Sequence, residues 1–351
     1  MTARPVVVEG RKIGEGAPVF VVAEAGVNHN GDLALAEQLV DAAAAAGADA
    51  VKFQTFRAAR LVSPAAPKAA YQKETTGADE GQLEMLERLE LDLDAHRTLQ
   101  ARAARRALVF FSSPFDEASA DALDALGVPL FKVPSGEVTN LPYLRHLAAK
   151  GRPLIVSTGM CTLDEVACAM ETIRAAGDPP VVLLHCLSAY PAPVDEMNLR
   201  AMDTLRERFR GPVGLSDHTL GIEVALAAVA RGATVVEKHL TLDRGLPGPD
   251  HRASLDPAGF TGLVQVIRSV EAALGDGVKR PMPSEADTAR VARKSLVAAR
   301  PIAAGRRLAA EDVAVRRPGT GISPADLDRA LGRATLRDLA AGDVIAWGDL
   351  S

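Results

Sequence analysis

Short apolar runs alternate with amphipathic segments over most of the chain. Eight β-rich runs occupy residues 19–25, 50–53, 108–112, 130–133, 154–157, 181–185, 213–215 and 234–237. All but the second are followed directly by an Ala/Leu-rich helical stretch, and the second is followed by a longer excursion over residues 57–81. Such alternation predicts parallel βα units. Eight units are the number that closes a (β/α)8 TIM barrel, whereas an open doubly wound sheet usually has about five or six strands.

The pattern changes after the last predicted barrel helix, residues 259–274. The stretch GDGVKRPMPSEADTARVARKS is charged and contains Gly and Pro, as linkers do. Beyond it, SLVAARPIAAGRRL and TLRDLAAGDVIAWGDL are two similar phrases separated by about forty residues. We therefore predict a barrel domain over residues 1–280, a linker over 281–293 and a small β-rich domain over 294–351.

Composition narrows the choice of partners. Of 351 residues, 48% are hydrophobic and 24% charged, and the formal net charge is −5. A globular protein of this charge has no global positive field for nucleic acid or an anionic membrane, so we expect neither partner. Cys161, Cys168 and Cys186 form no C-x-x-C pair, which favours reduced thiols. No apolar stretch has the length of a signal peptide or a membrane span, and we expect a cytoplasmic protein.

Cations and hydroxyls follow several predicted strands. In a TIM barrel the active site lies at the C-terminal ends of the strands, so these side chains should converge. Two lysines are embedded in apolar strands, in VKF and FKV, and an interior lysine needs a counter-charge. A bound anion or a neighbouring carboxylate would satisfy that need. The anion-binding candidates are Lys52, Ser113, Lys132, Ser135 and Ser188.

A histidine ends each of the last two predicted strands. Neighbouring strands lie about 4.8 Å apart, so His218 and His239 could bind one metal ion. Two imidazoles without a nearby cysteine favour an exchangeable ion, Mn²⁺ or Mg²⁺, over structural zinc. The alternative for each is a core histidine satisfied by hydrogen bonds.

Five carboxylates also lie near strand ends: Glu24, Glu137, Asp217, Glu237 and Asp250. Such groups bind sugar hydroxyls, activate water, orient histidines or neutralise lysines, and the sequence does not separate these tasks. In GVNHNGD, we expect Asp32 to cap the helix that follows, and the sequence does not assign a role to Asn28 or His29. The chain contains no P-loop, no G-x-G-x-x-G after a strand and no G-x-S-x-G, which argues against the usual nucleotide and serine-hydrolase sites.

Nine segments, in order along nearly the whole chain, resemble the sialic acid (N-acetylneuraminate) synthase family. They are AEAGVNHNGD, GADAVKFQ, FFSSPFD, KVPSGEVTN, STGM, LHCLSAYPAP, GLSDHTLG, EKHLTLDRGLPGPDHRASLDP, and SLVAARPIAAG followed by RRPGTGI. The resemblance implies a (β/α)8 barrel joined to an antifreeze-protein-like (SAF) domain. It also implies a homodimer in which each small domain is swapped onto the partner's barrel.

The resemblance further implies roles for single residues. Phosphoenolpyruvate would be bound by Lys52, Ser113, Lys132, Ser135, Ser188 and Ser216. The sugar would be bound by Glu24, Gln54, Glu137, Tyr190, Asp250 and, reaching the N-acyl group from the other subunit, Arg317. The metal ligands would be His218 and His239, holding Mn²⁺ or Mg²⁺, with Co²⁺ a third candidate. The catalytic set would be Glu24, Glu137, Lys52, Lys132 and Glu237.

The implied reaction condenses phosphoenolpyruvate with N-acetylmannosamine and water, and C–O cleavage gives N-acetylneuraminate and phosphate. Glu137 is the first choice for the carboxylate that steers the water. The segment PGPDHRASL resembles members that use N-acetylmannosamine or 2,4-diacetamido-2,4,6-trideoxymannose more than members that make pseudaminic acid. An N,N'-diacetyllegionaminate synthase is therefore the alternative within the family.

Two further hypotheses come from other classes. A lysine Schiff-base aldolase would use Lys132 or Lys238 as the nucleophile. A carbohydrate-binding protein with an inactive barrel would need none of the histidines and lysines, which argues against it. A barrel alone does not establish either activity, because function is a property of the site.

Overall fold

The computed structural model of the protein describes residues 6–77 and 80–351. The chain packs into two compact units, Met1–Gly275 and Asp276–Ser351. The predicted domain limits at residues 280 and 294 stay predictions. Within the described residues, no helix has both the length and the apolar character needed to cross a bilayer.

The strands follow one another with helices between most of them. They are β1 (Val6–Val8), β2 (Arg11–Ile13), β3 (Phe20–Gly26), β4 (Ala50–Thr55), β5 (Val109–Pro114), β6 (Phe131–Val133), β7 (Leu154–Ser157), β8 (Val181–Cys186), β9 (Val213–Asp217), β10 (Val235–His239), β11 (Ser295–Ala298) and β12 (Val313–Arg316). The helices are α1 (Leu33–Ala45), α2 (Ala58–Leu61), α3 (Ala70–Thr76), α4 (Gln82–Glu87), α5 (Leu93–Arg105), α6 (Glu117–Leu126), α7 (Leu141–Ala149), α8 (Leu163–Ala176), α9 (Ala201–Phe209), α10 (Glu223–Ala230), α11 (Pro257–Leu274), α12 (Ala286–Ala292) and α13 (Leu327–Ala330).

Strands β3 to β10 form a closed parallel barrel. Each pairs with its neighbour in chain order, and β10 pairs in parallel with β3 to complete the ring. The predicted TIM barrel is confirmed, and each predicted run overlaps one barrel strand. Asp32 caps α1, as expected, because its carboxylate accepts a hydrogen bond from the backbone N–H of Ala34 at 2.7 Å.

Side-chain alternation divides the barrel into an interior and an outer layer. Outward residues such as Val21 and Phe53 pack with the helices in the largest apolar cluster. Inward residues form a second cluster, which comprises Phe20, Val22, Ala50, Val109, Phe111, Leu130, Ile155, Val182, Leu184 and Val235. Most of these lie in the N-terminal half of their strands, so the C-terminal half is left for polar inward residues.

The sequence reasoning missed an antiparallel hairpin before the barrel. Strands β1 and β2 pair with Val6 opposite Ile13, and Val6, Val8 and Ile13 belong to the inward cluster. The hairpin therefore closes the N-terminal end of the barrel interior with apolar side chains. Its strands have only three residues each, too few for a periodicity to be recognised.

The C-terminal unit is built from the two repeated phrases. They pair with each other in antiparallel bridges, including Ile302 with Leu339. A similar turn follows the first phrase and lies near the end of the second: Asp312 accepts from the N–H of Ala309, and Asp349 from that of Ala346. Strands β11 and β12 pair antiparallel. The apolar core of this unit comprises Leu296, Ala298, Ile302, Leu308, Ile322, Ala330, Leu339, Ile345 and Leu350.

The closing hairpin provides a matched stability test. Val6 is 1% exposed and its neighbour Val7 is 57% exposed. We expect Val6→Ala to lower the unfolding free energy of the barrel by about 2 kcal/mol, because it removes two buried methyl groups and leaves a cavity. Val7→Ala should change it by less than about 0.5 kcal/mol. Urea denaturation of both variants measures this, and equal losses would contradict the closing role.

Candidate active site

The alternation that fills one end of the barrel with apolar side chains places polar ones at the other. In β3, for example, Phe20 and Val22 point into the apolar interior and Glu24 follows on the same side. A cavity of about 470 Å³ opens at the C-terminal ends of the strands. The inward polar residues there, in strand order, are Glu24, Lys52, Ser113, Lys132, Ser157, Cys186, Ser216 and Glu237.

Two lysines and two glutamates form a buried cluster below this cavity. The ammonium group of Lys52 lies 3.2 Å from a carboxylate oxygen of Glu24 and 3.2 Å from Oε1 of Glu237. The Lys132 ammonium lies 3.2 Å from the same oxygen of Glu237. Lys52 also donates to Ser113 Oγ at 3.3 Å, and Ser216 donates to Glu237 Oε1 at 3.1 Å. Glu237 therefore joins the two predicted anion-binding lysines.

The two carboxyl groups differ in their ionisation. Burial raises the pKa of Glu24, and the charge of Lys52 only partly offsets this effect. Burial acts on Glu237 in the same direction, but Lys132 and Lys52 together outweigh it and lower the pKa of Glu237. Burial also opposes the charge of Lys52, yet Glu237 and Glu24 raise the pKa of that ammonium group. Glu237 is thus a permanent counter-ion, whereas protonation of Glu24 gives the cluster a net positive charge.

Hydroxyl groups and a backbone N–H surround the next part of the cavity. Ser135 Oγ accepts a hydrogen bond from the N–H of Gly159 at 2.9 Å. A Cβ atom on Gly159 would lie 2.3 Å from Ser188 Oγ and 3.0 Å from Ser135 Oγ, so only glycine allows this close approach. With Ser113, these hydroxyls provide donors beside the two lysines, which is an arrangement suited to an anion.

The two histidines face each other across the cavity. The ring centroids of His218 and His239 are 5.3 Å apart at an interplanar angle of 61°. Two imidazoles that bind one ion with nitrogens about 2.1 Å away have centroids on the order of 5 Å apart. His218 donates from Nδ1 to the carbonyl oxygen of Leu187 at 2.9 Å, which leaves its Nε2 with a lone pair.

His239 completes the pair as a neutral ligand. Its Nδ1 is buried without a hydrogen-bond partner and lies 3.7 Å from Oδ2 of Asp250. Burial, reinforced by the charge of Lys52, holds the pKa of His239 well below its usual value. In the described part of the chain, no three His, Cys, Asp or Glu side chains are grouped to hold an ion. The pair fits an exchangeable divalent ion whose remaining ligands come from water or substrate.

Other predicted sugar contacts line the same cavity. Gln54 donates to Glu24 Oε1 at 3.1 Å, and the ring of Tyr190 lies 4.2 Å from that of His218. Burial raises the pKa of Asp250 to about 6. The cavity brings together Glu24, Lys52, Gln54, Ser113, Lys132, Ser135, Ser188, Tyr190, Ser216, His218, His239 and Asp250.

Two of the candidate carboxylates, Glu137 and Asp217, lie outside the cavity lining. Glu137 lies in a 3-10 turn, Ser135–Glu137, outside the cavity lining, and its carboxylate accepts from Asn140 Nδ2 at 2.7 Å. Arg317 is an exposed residue of the C-terminal unit, just after β12. The sequence reasoning also missed several lining residues, notably Tyr71 on α3, which lies in the excursion after β4.

Asn28 and His29, whose roles the sequence leaves open, both make hydrogen bonds in the loop after β3. Asn28 donates to the carbonyl oxygen of Leu240 at 2.9 Å and to Ser254 Oγ at 2.8 Å, so it ties the first loop to the end of the barrel. His29 accepts from the N–H of Gly31 at 3.0 Å, and burial lowers its pKa to about 4. Neither residue lines the cavity.

Two segments of the chain match known protein families. Residues 39–279 match the NeuB family and residues 293–351 match the SAF domain. The chain belongs to the NeuB family. Its predicted membership of the sialic acid synthase family is confirmed, as are the enzyme class, a phosphoenolpyruvate-dependent synthase of sialic-type acids, and the antifreeze-like domain.

Individual relatives of this NeuB-family chain cover nearly its whole length. It is 48% identical over 338 residues to the N,N'-diacetyllegionaminic acid synthase of Legionella pneumophila, covering 95% of each chain. It is 46% identical over 328 residues to the enzyme of the same name from Campylobacter jejuni, covering 93% of this chain and 98% of that one. A crystal structure of N-acetylneuraminic acid synthetase from Leptospira borgpetersenii in complex with citrate has a TM-score of 0.72 and 34% identity, covering 82% and 95% of the two chains.

Lys238 provides a test of the aldolase hypothesis. It points out of the barrel, where its buried ammonium donates to Asp217 Oδ2 at 2.7 Å and to the carbonyl oxygen of Thr219 at 2.8 Å. We expect Lys238→Met to cost about 3–5 kcal/mol of stability, because Asp217 becomes a buried charge without its cation. The double variant with Asp217→Asn should recover much of this loss in thermal denaturation. A fully stable but inactive Lys238→Met variant would instead assign Lys238 to the chemistry.

Proposed function

We propose that the protein condenses phosphoenolpyruvate with 2,4-diacetamido-2,4,6-trideoxymannose and water to give N,N'-diacetyllegionaminate and phosphate. The observation that carries this proposal is the convergence of Lys52, Lys132, His218 and His239 on one cavity. The names of the relatives at 46–48% identity favour this sugar. N-acetylmannosamine, the first choice from the sequence, is the second candidate.

Phosphoenolpyruvate binds at the lysine end of the cavity in this proposal. Its carboxylate and phosphate are anions, and Lys52 and Lys132 line the same cavity as the hydroxyls of Ser113 and Ser135. An incoming anion competes with Glu24 and Glu237 for the same ammonium groups. Glu24 is the weaker competitor, because burial raises its pKa and it contacts only Lys52, whereas Glu237 stays ionised and contacts both lysines.

The sugar aldehyde lies next to the histidine pair. A divalent ion held by His218 and His239, Mn²⁺ or Mg²⁺ with Co²⁺ as a third candidate, would supply Lewis-acid polarisation of the aldehyde oxygen. The protein's own residues position the two substrates, so that C3 of phosphoenolpyruvate reaches the aldehyde carbon. Tyr190 packs on His218 and excludes water from one side of that pair.

Water then adds to C2, and the C2–O bond to phosphate breaks. The carboxylate that steers this water must face the cavity, and Glu24 does so, whereas the carboxylate of Glu137 is bonded to Asn140. We therefore assign the water-steering role to Glu24 in place of Glu137. Lys52 and Lys132 stabilise the negative charge on the departing phosphate.

The substrate assignment is tested with a panel of sugars. With phosphoenolpyruvate, we expect phosphate release to be fastest with 2,4-diacetamido-2,4,6-trideoxymannose, at a kcat/KM at least about tenfold above that with N-acetylmannosamine. Product mass should correspond to addition of the three-carbon unit without its phosphate. Borohydride trapping of a covalent lysine adduct, without phosphate release, would support the aldolase instead.

The metal assignment is tested by direct binding. We expect Mn²⁺ binding, followed by electron paramagnetic resonance, to weaken at least about 100-fold in His218→Ala and in His239→Ala. The matched control is His185→Ala, because His185 bonds the carbonyl oxygen of Met197 and does not line the cavity. Chelation should abolish phosphate release and Mn²⁺ should restore it. Unchanged Mn²⁺ affinity in both cavity variants would refute the assignment.

A swapped homodimer in which the partner subunit's Arg317 reaches the sugar remains part of the proposal. Mixing two inactive variants tests it, because a heterodimer of His218→Ala and Arg317→Ala would contain one site with both native groups. After subunit exchange we expect about a quarter of wild-type activity. If each barrel used its own Arg317, both sites of the heterodimer would carry a defect and the mixture would stay inactive.

A further inference from the structure

Tyr71 lines the cavity, and none of the roles above includes it. It lies on α3, in the excursion between β4 and α4. Its ring stacks on that of Tyr190, with centroids 5.1 Å apart and an interplanar angle of 29°. Because Tyr190 in turn packs on His218, a continuous row of rings leads from α3 to the histidine pair.

A buried lysine fixes the segment that carries Tyr71. Lys68 precedes α3, and its ammonium donates to Thr76 Oγ1 at 2.9 Å, to the carbonyl oxygen of Gly77 at 3.1 Å and to Glu80 Oε1 at 2.7 Å. The side chain of Lys68 is only 1% exposed. A buried ammonium group requires such partners, so the interaction holds both ends of α3 together. These contacts of Lys68 thus fix the position of Tyr71 at the cavity.

The cavity wall around Tyr71 is largely apolar, and the charge that acts on the Tyr71 hydroxyl is the carboxylate of Asp250. Met85 and Leu86 of α4, and Leu89 just after this helix, line the wall here. Met85 and Leu89 belong to a separate apolar cluster, and Leu86 packs against it. Burial raises the pKa of the Tyr71 hydroxyl far above neutrality, so this group stays uncharged. The uncharged polar lining groups on α3 and α4 beside it include the amides of Gln72 and Gln82. Amides pair with acetamido groups, and apolar side chains accommodate methyl groups.

The lysines of the cavity lie at the other end. Among the lining residues of the described barrel unit, the lysines are Lys52 and Lys132, and both are bound to Glu237 at the strand ends. No arginine lines this cavity within the same described residues. The wall beside Tyr71 therefore offers no cationic partner for a phosphate group carried by the sugar.

We infer that Tyr71 determines sugar specificity: its ring, backed by Tyr190 and the apolar side chains of α4, selects an unphosphorylated sugar with a methyl group where N-acetylmannosamine has a hydroxymethyl group. The inference rests on the proposed function, because it requires a sugar in this cavity. Burial of a methyl group against the ring face and the apolar side chains is favourable, whereas a hydroxyl placed on the same surface loses water and finds no strong acceptor there.

The test uses two sugars that differ in a single oxygen. These are 2,4-diacetamido-2,4,6-trideoxymannose and its counterpart that keeps the 6-hydroxyl. We expect Tyr71→Ala to lower kcat/KM for the 6-deoxy sugar by about 10- to 100-fold and for the 6-hydroxy sugar by less than about threefold. The KM of phosphoenolpyruvate should stay within about twofold, since Tyr71 does not contact the lysine cluster. Tyr71→Phe keeps the ring and should keep the preference.

The possible failures are distinguishable. An equal fall for both sugars, or an unchanged ratio, would overturn the role of Tyr71 and leave the proposed function standing. If the wild-type protein releases no phosphate with any sugar, the proposed function fails and this inference fails with it. Should Tyr71→Ala not fold by circular dichroism, Tyr71→Gln carries the same test, with the ratio expected to shift toward the 6-hydroxy sugar.

Discussion

The barrel mouth depends on the oxygen of Glu237 that both lysines share. Lys52 and Lys132 come from strands two apart in the ring, and each lies 3.2 Å from that atom. Without a counter-charge, two ammonium groups at this depth would lose protons or draw in water. With Glu237 ionised, both have a counter-charge and a fixed position before any substrate arrives, although burial still lowers the pKa of Lys132. The cost of burying these charges is offset within the protein, so an anionic substrate meets groups that are already oriented.

The same alternation that creates this cluster also explains the closing hairpin. Inward positions are apolar near the N-terminal ends of the strands and polar near the C-terminal ends, so the barrel interior has an apolar end and a polar end. Val6, Val8 and Ile13 cover the apolar end. Water is thereby excluded beneath the lysine–glutamate cluster, which keeps its ion pairs strong. Stability and chemistry thus use opposite ends of the same eight strands.

A feature of this protein is predictable from the sequence when neighbouring residues determine it, and not when residues distant in the chain do. The barrel strands are predictable because each is a buried apolar run, and the lysines and histidines are predictable because they follow directly in those runs. Glu137 follows a strand too, but the turn Ser135–Glu137 directs its carboxylate to Asn140, and strand spacing does not reveal that rotation. Tyr71 is farther from any strand, and its place over the cavity depends on Lys68 and the packing of α4. Such tertiary contacts have no local pattern.

The row of rings from Tyr71 to His239 runs along the part of the cavity that is assigned to the sugar. Tyr190 contacts both its neighbours, with centroids 5.1 Å from Tyr71 and 4.2 Å from His218. A change in the sugar that displaces Tyr71 would therefore also shift the histidine pair through Tyr190. The aldehyde at that pair must be held within a few tenths of an ångström of its reactive position. Specificity in this barrel then acts on the rate of the chemical step as well as on binding, because the residue that senses the sugar also supports the residues that orient its aldehyde.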